Sequence, residues 1–206
     1  DNSKQAEPAK ARIREMVLAA IGAENAHVFD GFAGEGHMYR DVWHQAASYV
    51  GCDKDWFQHD ERKAYVGNNR RIMRAIDLGQ FTIFDLDAHG SPWEPLYILA
   101  VRRPLAEGER IGLVITEGLG LKMNMGGVDN ALAKLARIKR HMPGMGAARN
   151  DLVEKGLRRI VAMMHAEVER RWQADGVKGS RVTYIGLVLR GAVSKQVEED
   201  ADQVAA

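Results

Sequence analysis

Residues Val28-Phe29-Asp30-Gly31-Phe32-Ala33-Gly34-Glu35-Gly36 join an apolar run to a glycine-rich turn through an acid, and this junction restricts the fold more than any other stretch. Glycine lets the backbone approach a ligand where a Cβ would block it. A second apolar run, Tyr49-Val50-Gly51-Cys52-Asp53, also ends in a carboxylate. In a strand–turn–helix–strand unit that carboxylate lies beside the first turn, where it can accept both hydroxyl protons of a ribose. The pattern predicts a nucleoside cradle containing Gly34, Gly36 and Asp53.

The remaining elements alternate as such a unit requires. Pro8 is placed like a first-turn helix residue, ahead of Ile13, Met16, Val17, Ala20 and Ile21 on one helical face. Strands are expected at 26–30, 48–53, 64–66, 81–85 and 110–116, with helices at 36–47, through Ile72 and Ile76, and around Tyr97-Ile98-Leu99. Repeated alternation implies parallel strands joined by right-handed crossovers. Beyond Thr116 the pattern changes. A mobile loop is expected over Gly118–Gly127, then helices at 128–141 and 149–174 separated by a Pro- and Gly-containing break, and a last strand at 182–189. One domain over 8–191 follows, with a disordered tail at 1–7 and a polar tail at 192–206.

Glycine order separates the ligands that such a turn can hold. A dinucleotide fingerprint is G-x-G-x-x-G, whereas Gly31, Gly34 and Gly36 give G-x-x-G-x-G, which disfavours a nicotinamide oxidoreductase. The D-x-F-A-G-x-G string resembles motif I of S-adenosylmethionine-dependent methyltransferases, especially the group that modifies nucleic acid. The resemblance implies an α/β, Rossmann-like methyltransferase fold, a mostly parallel central sheet with helices on both faces, and S-adenosyl-L-methionine as cofactor. It implies that Asp30 orders the glycine loop and reaches the methionyl amine through water, and that Phe32 walls the adenosine or fills the core. Asn68 stands where related enzymes place an acid for the adenine amino group, and it could equally cap the helix beginning near Arg70.

The segment Asp85-Leu86-Asp87-Ala88-His89-Gly90-Ser91-Pro92-Trp93 falls at the carboxyl end of a central strand, where open α/β sheets bind ligands. It resembles the D-I-D-P-F-G-S-P string of the tRNA guanine dimethyltransferases, with Ala88 for the usual proline and His89 for the usual aromatic. The resemblance extends from Val28 to Pro92. It implies an acceptor amine whose delocalised lone pair must be localised: Asp87 and the carbonyls of Ala88 or His89 would accept its protons, and Trp93 or His89 would stack on an extruded base. Asp85 is grouped with the cofactor contacts. The plain alternatives are that Asp85 and Asp87 cap the next helix or pair with Arg70, Arg71 or Arg74, and that Trp93 is a core residue. Thr116 and Glu117 would line the substrate pocket or merely start a loop.

Composition narrows the classes further. The chain has 206 residues with a net charge of +1, and no apolar run is long enough to span a bilayer. A lone cysteine, Cys52, allows no internal disulfide and reads as an inert core thiol in a reducing, cytoplasmic setting. No leader segment is expected. The histidines lack metal-ligand spacing, so no metal is expected. Between Lys134 and Arg159, eight basic residues (Lys134, Arg137, Lys139, Arg140, Arg149, Lys155, Arg158 and Arg159) face only Asp151 and Glu154, a candidate phosphate-facing surface or a pair of solvated helix faces. The expected partner is nucleic acid, RNA before DNA, with no membrane. A methyltransferase acting on a small molecule or protein, and a catalytically inactive cofactor-binding relative, are the alternatives. The sequence does not set the oligomeric state.

Overall fold

The computed structural model describes residues 7–55, 62–88, 90–176 and 182–193, so the expectations for residues 1–6, for His89 and for residues 194–206 fall outside the described residues, while Glu7, expected in the tail, begins the first helix. Seven strands form one sheet: β1 (His27–Asp30), β2 (Ser48–Asp53), β3 (Lys63–Val66), β4 (Ile83–Leu86), β5 (Arg110–Glu117), β6 (Ala166–Asp175) and β7 (Thr183–Gly191). Their spatial order is β3-β2-β1-β4-β5-β7-β6. The first five are parallel, and β7 runs antiparallel to both β5 and β6. The order of strands switches between β1 and β4, with β2 and β3 laid to one side and β5 to the other, which opens a crevice at their carboxyl ends.

Alternation along the strands supplies two buried faces. Val28, Ile83, Val114 and Val188 point to one side, where they meet Ile13, Val17, Leu18 and Ile21 of α1 (Glu7–Ile21). Phe29, Phe84, Leu113 and Leu187 point to the other, under α3 (Asn69–Ala75), α4 (Trp93–Arg102), α6 (Asn130–Leu135) and α7 (Arg149–Met163). Helices on both faces follow from this period of two in a sheet of buried strands. Two strand glycines set how closely α1 docks: a Cβ on Gly112 would lie 2.5 Å from Val17 Cγ1, and one on Gly186 would lie 2.9 Å from Ile13 Cγ2.

Several sequence expectations are corrected. The helix expected at 36–47 is only α2 (His37–Asp41) followed by a 3-10 turn, Trp43–Gln45. The loop expected at Gly118–Gly127 contains a short helix, α5 (Gly120–Asn124). The helix expected at 128–141 ends at Leu135, where Arg137 turns left-handed at φ +54°. The helix expected at 149–174 stops at Met163, His165 adopts φ +53°, and the remaining residues become β6. Ala166–Asp175 is rich in helix formers, yet the long buried strand β7 offers it a ladder, and charged residues suit an exposed sheet edge. Among the described residues, no helix is long and apolar enough to cross a membrane, and no group of three metal-ligating side chains occurs.

Candidate functional site

A cleft of about 880 Å³ opens at the carboxyl ends of β1, β2 and β4. The turn after β1 forms its wall and is stitched to three neighbours. Gly31 N–H donates to the Asp85 carbonyl (2.9 Å), Ala33 N–H to the Cys52 carbonyl (3.1 Å), and Asn69 Nδ2 to the Gly31 carbonyl (2.9 Å). Gly34, at φ +45°, donates its N–H to Asp53 Oδ2 at 3.0 Å, while Asp53 Oδ1 accepts from Asp55 N–H at 3.1 Å. A carboxylate has about four acceptor positions, so Asp53 keeps capacity for a diol. Gly36, at φ +79°, turns the chain into α2 and does not line the cleft.

Asp30 closes the turn from below. Its Oδ1 accepts from Phe32 N–H (3.0 Å) and its Oδ2 from the Tyr49 hydroxyl (2.9 Å). Burial, reinforced by the nearby Asp85 charge, pushes its carboxyl up to about 8. Phe32 is partly buried against the core and contributes to the cleft wall. Asn68 also reaches the cleft, but its Oδ1 accepts from Arg70 N–H (3.0 Å) and caps α3.

The acids of β4 have different partners from those expected. Arg14, wholly buried in α1, donates through Nε and Nη2 to Asp85 (2.6 and 2.8 Å) and through Nη2 to Asp87 Oδ2 (3.1 Å). Trp43 Nε1 adds a third bond to Asp85 at 2.8 Å. Lys10, one helical turn before Arg14, sits 3.1 Å from Asp87 Oδ2. Arg70 and Arg74 instead pair with Glu94. Asp85, expected as a cofactor contact, is fully buried and committed to Arg14 and Trp43, so it anchors the cleft floor to α1. Burial opposes the charge on Asp87, yet Arg14 and Lys10 hold its carboxyl below the ordinary range.

Trp93 is a correction. It is 0% exposed, and a Cβ on Gly156 of α7 would lie 2.5 Å from its ring, so it wedges α4 against α7 and offers no face to a base. The side chain of Ala88 is buried and its N–H donates to the Leu86 carbonyl at 2.8 Å. Glu117 is also buried, held by Arg149 at 3.0 Å through Nε. Of the residues singled out in sequence, Asp30, Phe32, Gly34, Asp53, Asn68, Asp85 and Asp87 meet at the cleft, whereas Gly36, Ala88 and Trp93 do not line it. Lys10, Arg14 and Tyr49 were missed. The available signal was a pair of cations spaced i, i+4 beside the apolar stripe of α1.

No known family profile matches the chain, and no curated protein matches it in sequence. Solved structures match it in fold. Trm1 from Pyrococcus horikoshii, in complex with S-adenosyl-L-methionine, is similar with a TM-score of 0.60 and 13% identity, over 97% of this chain and 58% of that one. The chain thus spans little more than half the length of that protein. TYW2 from M. jannaschii, in complex with AdoMet, is similar with a TM-score of 0.59 and 11% identity, over 92% of this chain and 78% of that one. A candidate hemolysin from Lactococcus lactis has a TM-score of 0.56 and 15% identity, over 99% of this chain and 100% of that one. The fold is the Rossmann-like methyltransferase fold, and the range of names attached to it leaves function to be argued from the site.

Proposed function

We propose that the chain is an S-adenosylmethionine-dependent methyltransferase acting on an exocyclic amine of a base in nucleic acid, RNA rather than DNA. The observation that carries the reading is the bond from Gly34 N–H to Asp53, which fixes a diol acceptor on the rim of the cleft whose floor holds Asp30 and Asp87. The residues fit the cofactor. Asp53 would take the ribose hydroxyls, Phe32 would wall the adenine, and Asn68, its carbonyl committed to the α3 cap, would offer its amide N–H groups. Asp30 would face the methionyl ammonium. When bound, the cofactor supplies an electrophilic methyl group on a sulfonium, open to in-line displacement.

The acceptor side rests on Asp87. Lys10 and Arg14 keep it ionised, and an amine would donate to the acceptor positions that these cations leave on the carboxylate. Such a contact localises the amine lone pair and holds it in line, without full deprotonation. The burial of Trp93 favours a second reading, a cofactor-binding relative without transfer, because it removes the expected stacking platform.

The test is calorimetric titration with S-adenosylmethionine, S-adenosylhomocysteine and NAD, using wild type and Asp53→Ala, followed by labelled methyl transfer to RNA, DNA and small molecules. Binding of the first two, lost in Asp53→Ala, with label entering RNA and abolished by Asp87→Ala, is expected. Folded protein that binds neither refutes the reading, and binding without transfer to any substrate supports the inactive relative.

A further inference from the structure

The segment between β5 and α7, residues 118–148, is fastened to the loop that follows β4. Gly118 N–H donates to the Gly90 carbonyl at 3.0 Å, and the Ser91 hydroxyl hydrogen-bonds the Asp129 carboxylate. The segment is also closed on itself. Gly127 bridges His141, Val128 N–H donates to the Arg140 carbonyl (3.1 Å), and Met142 N–H donates to the Gly126 carbonyl (3.1 Å). Whatever docks on this segment is therefore held against the acceptor end of the cleft.

Its surface pairs two features that a protein seldom leaves together in water. Leu121 is 66% exposed, Met125 80% and Met142 43%. The same segment carries Lys122, Lys134, Arg137, Lys139 and Arg140, opposed within it only by Asp129, which is occupied in capping α6 through Leu132 N–H at 2.7 Å. None of these five cations makes an ion pair among the described residues, whereas Arg110, Arg171 and Arg190 on the sheet all sit on glutamates. Arg137 holds a left-handed backbone at φ +54°, a position that glycine or asparagine usually takes at a helix end. The His141 ring lies beside Gly127, whose Cβ position is 3.8 Å from Lys122 Cγ, which brings an exposed imidazole close to the stem of Lys122.

Resting on the methyltransferase reading above, we infer that this segment is the docking surface for a single-stranded stretch of the RNA substrate. Unpaired cations match a phosphate backbone. Exposed methionines, leucine, an imidazole and a guanidinium match base faces, and these faces are available only in unpaired strands. Fastening to Gly90 and Ser91 then brings the nucleotide next to the docked strand to Asp87.

The experiment measures affinity of the full chain for a labelled mixed-sequence single-stranded RNA across a salt series. Its DNA equivalent, a duplex RNA and anionic phosphatidylserine vesicles are measured in parallel, with cofactor titration on every variant. The variants are Lys122→Gln/Lys139→Gln/Arg140→Gln and Met125→Ser, at positions that are exposed except for the half-buried Lys122. The triple variant is expected to lose RNA affinity on the order of tenfold or more, with a log–log salt slope shallower by about 2. Met125→Ser is expected to weaken binding at unchanged slope, and cofactor affinity is expected to stay the same in both. RNA affinity unaffected by either variant overturns the surface, equal affinity for single-stranded DNA or duplex RNA overturns the choice of partner, and preference for vesicles replaces it with a lipid surface. Failure of wild type to bind cofactor, with RNA binding still sensitive to the variants, refutes the methyltransferase reading and leaves the docking surface standing.

Discussion

Replacing Arg14 with methionine isolates the contact that ties α1 to the cleft floor. The guanidinium is 0% exposed and donates to Asp85 at 2.6 and 2.8 Å, to Asp87 at 3.1 Å and to the Lys10 carbonyl at 3.0 Å. Methionine keeps much of the packing but leaves Asp85 buried with only the Trp43 indole as a described donor. Breaking one side of a buried pair costs about 3–5 kcal/mol, because the remaining charge is uncompensated. At this chain length that corresponds to a fall of roughly 6–20 °C in Tm. Urea denaturation at neutral pH, read from midpoints at constant slope, measures the loss directly. Adding Asp85→Asn removes the stranded charge, so Arg14→Met/Asp85→Asn should recover most of the deficit. The deficit of the single variant should also shrink on acidification, since Asp85 then escapes its charge by protonation. A loss below about 1 kcal/mol, or a double variant no more stable than Arg14→Met, would refute the assignment of Arg14 as the partner that holds these acids.

Asp30, with its carboxyl pushed up to about 8, binds a proton in the folded state that the unfolded chain has already released above its ordinary value near 4. Stability should therefore fall as pH rises through that window by up to about 1.4 kcal/mol per pH unit, a slope absent in Asp30→Asn. For the same reason, binding of a cationic ligand should release a proton, visible as buffer-dependent heats in calorimetry, and buffer-independent heats between pH 6 and 7 would count against this role for Asp30. Gly156→Ala drives a methyl into the Trp93 ring and should destabilise by roughly 1–3 kcal/mol in spite of better helix propensity, whereas a stabilised variant would show that the α4–α7 contact is looser than described. Cys52 is buried and its thiol is pushed up to about 12 by burial and neighbouring acids, so it should resist a thiol reagent until the protein unfolds.

The strands that carry the cleft were legible because each is a short apolar run ending at a turn residue or an acid. β1, β2, β4 and β5 lie within a residue or two of their expected positions. The acids and glycines of the turn were legible for the same reason: strand, turn and second strand are contiguous, and their geometry is set locally. β6 was not, because alternation on an exposed edge strand can be all polar, and Ala166–Asp175 reads equally well as the end of a charged helix.

What the chain alone determined is the local arrangement: a glycine turn that places Gly34 and Asp53 together, and a β4 terminus that places Asp87 at the crevice. What only tertiary structure decided is the electrostatic state of those groups. Arg14 and Asp85 are 71 residues apart, and no spacing rule joins them. Their pairing depends on α1 lying close over Gly112 and Gly186, on strands that arrive much later in the chain. Burial and charge are properties of the packed neighbourhood. A sequence can therefore show which carboxylates reach a site, while the fold selects which of them stays ionised, which is neutral and which is spent as an anchor.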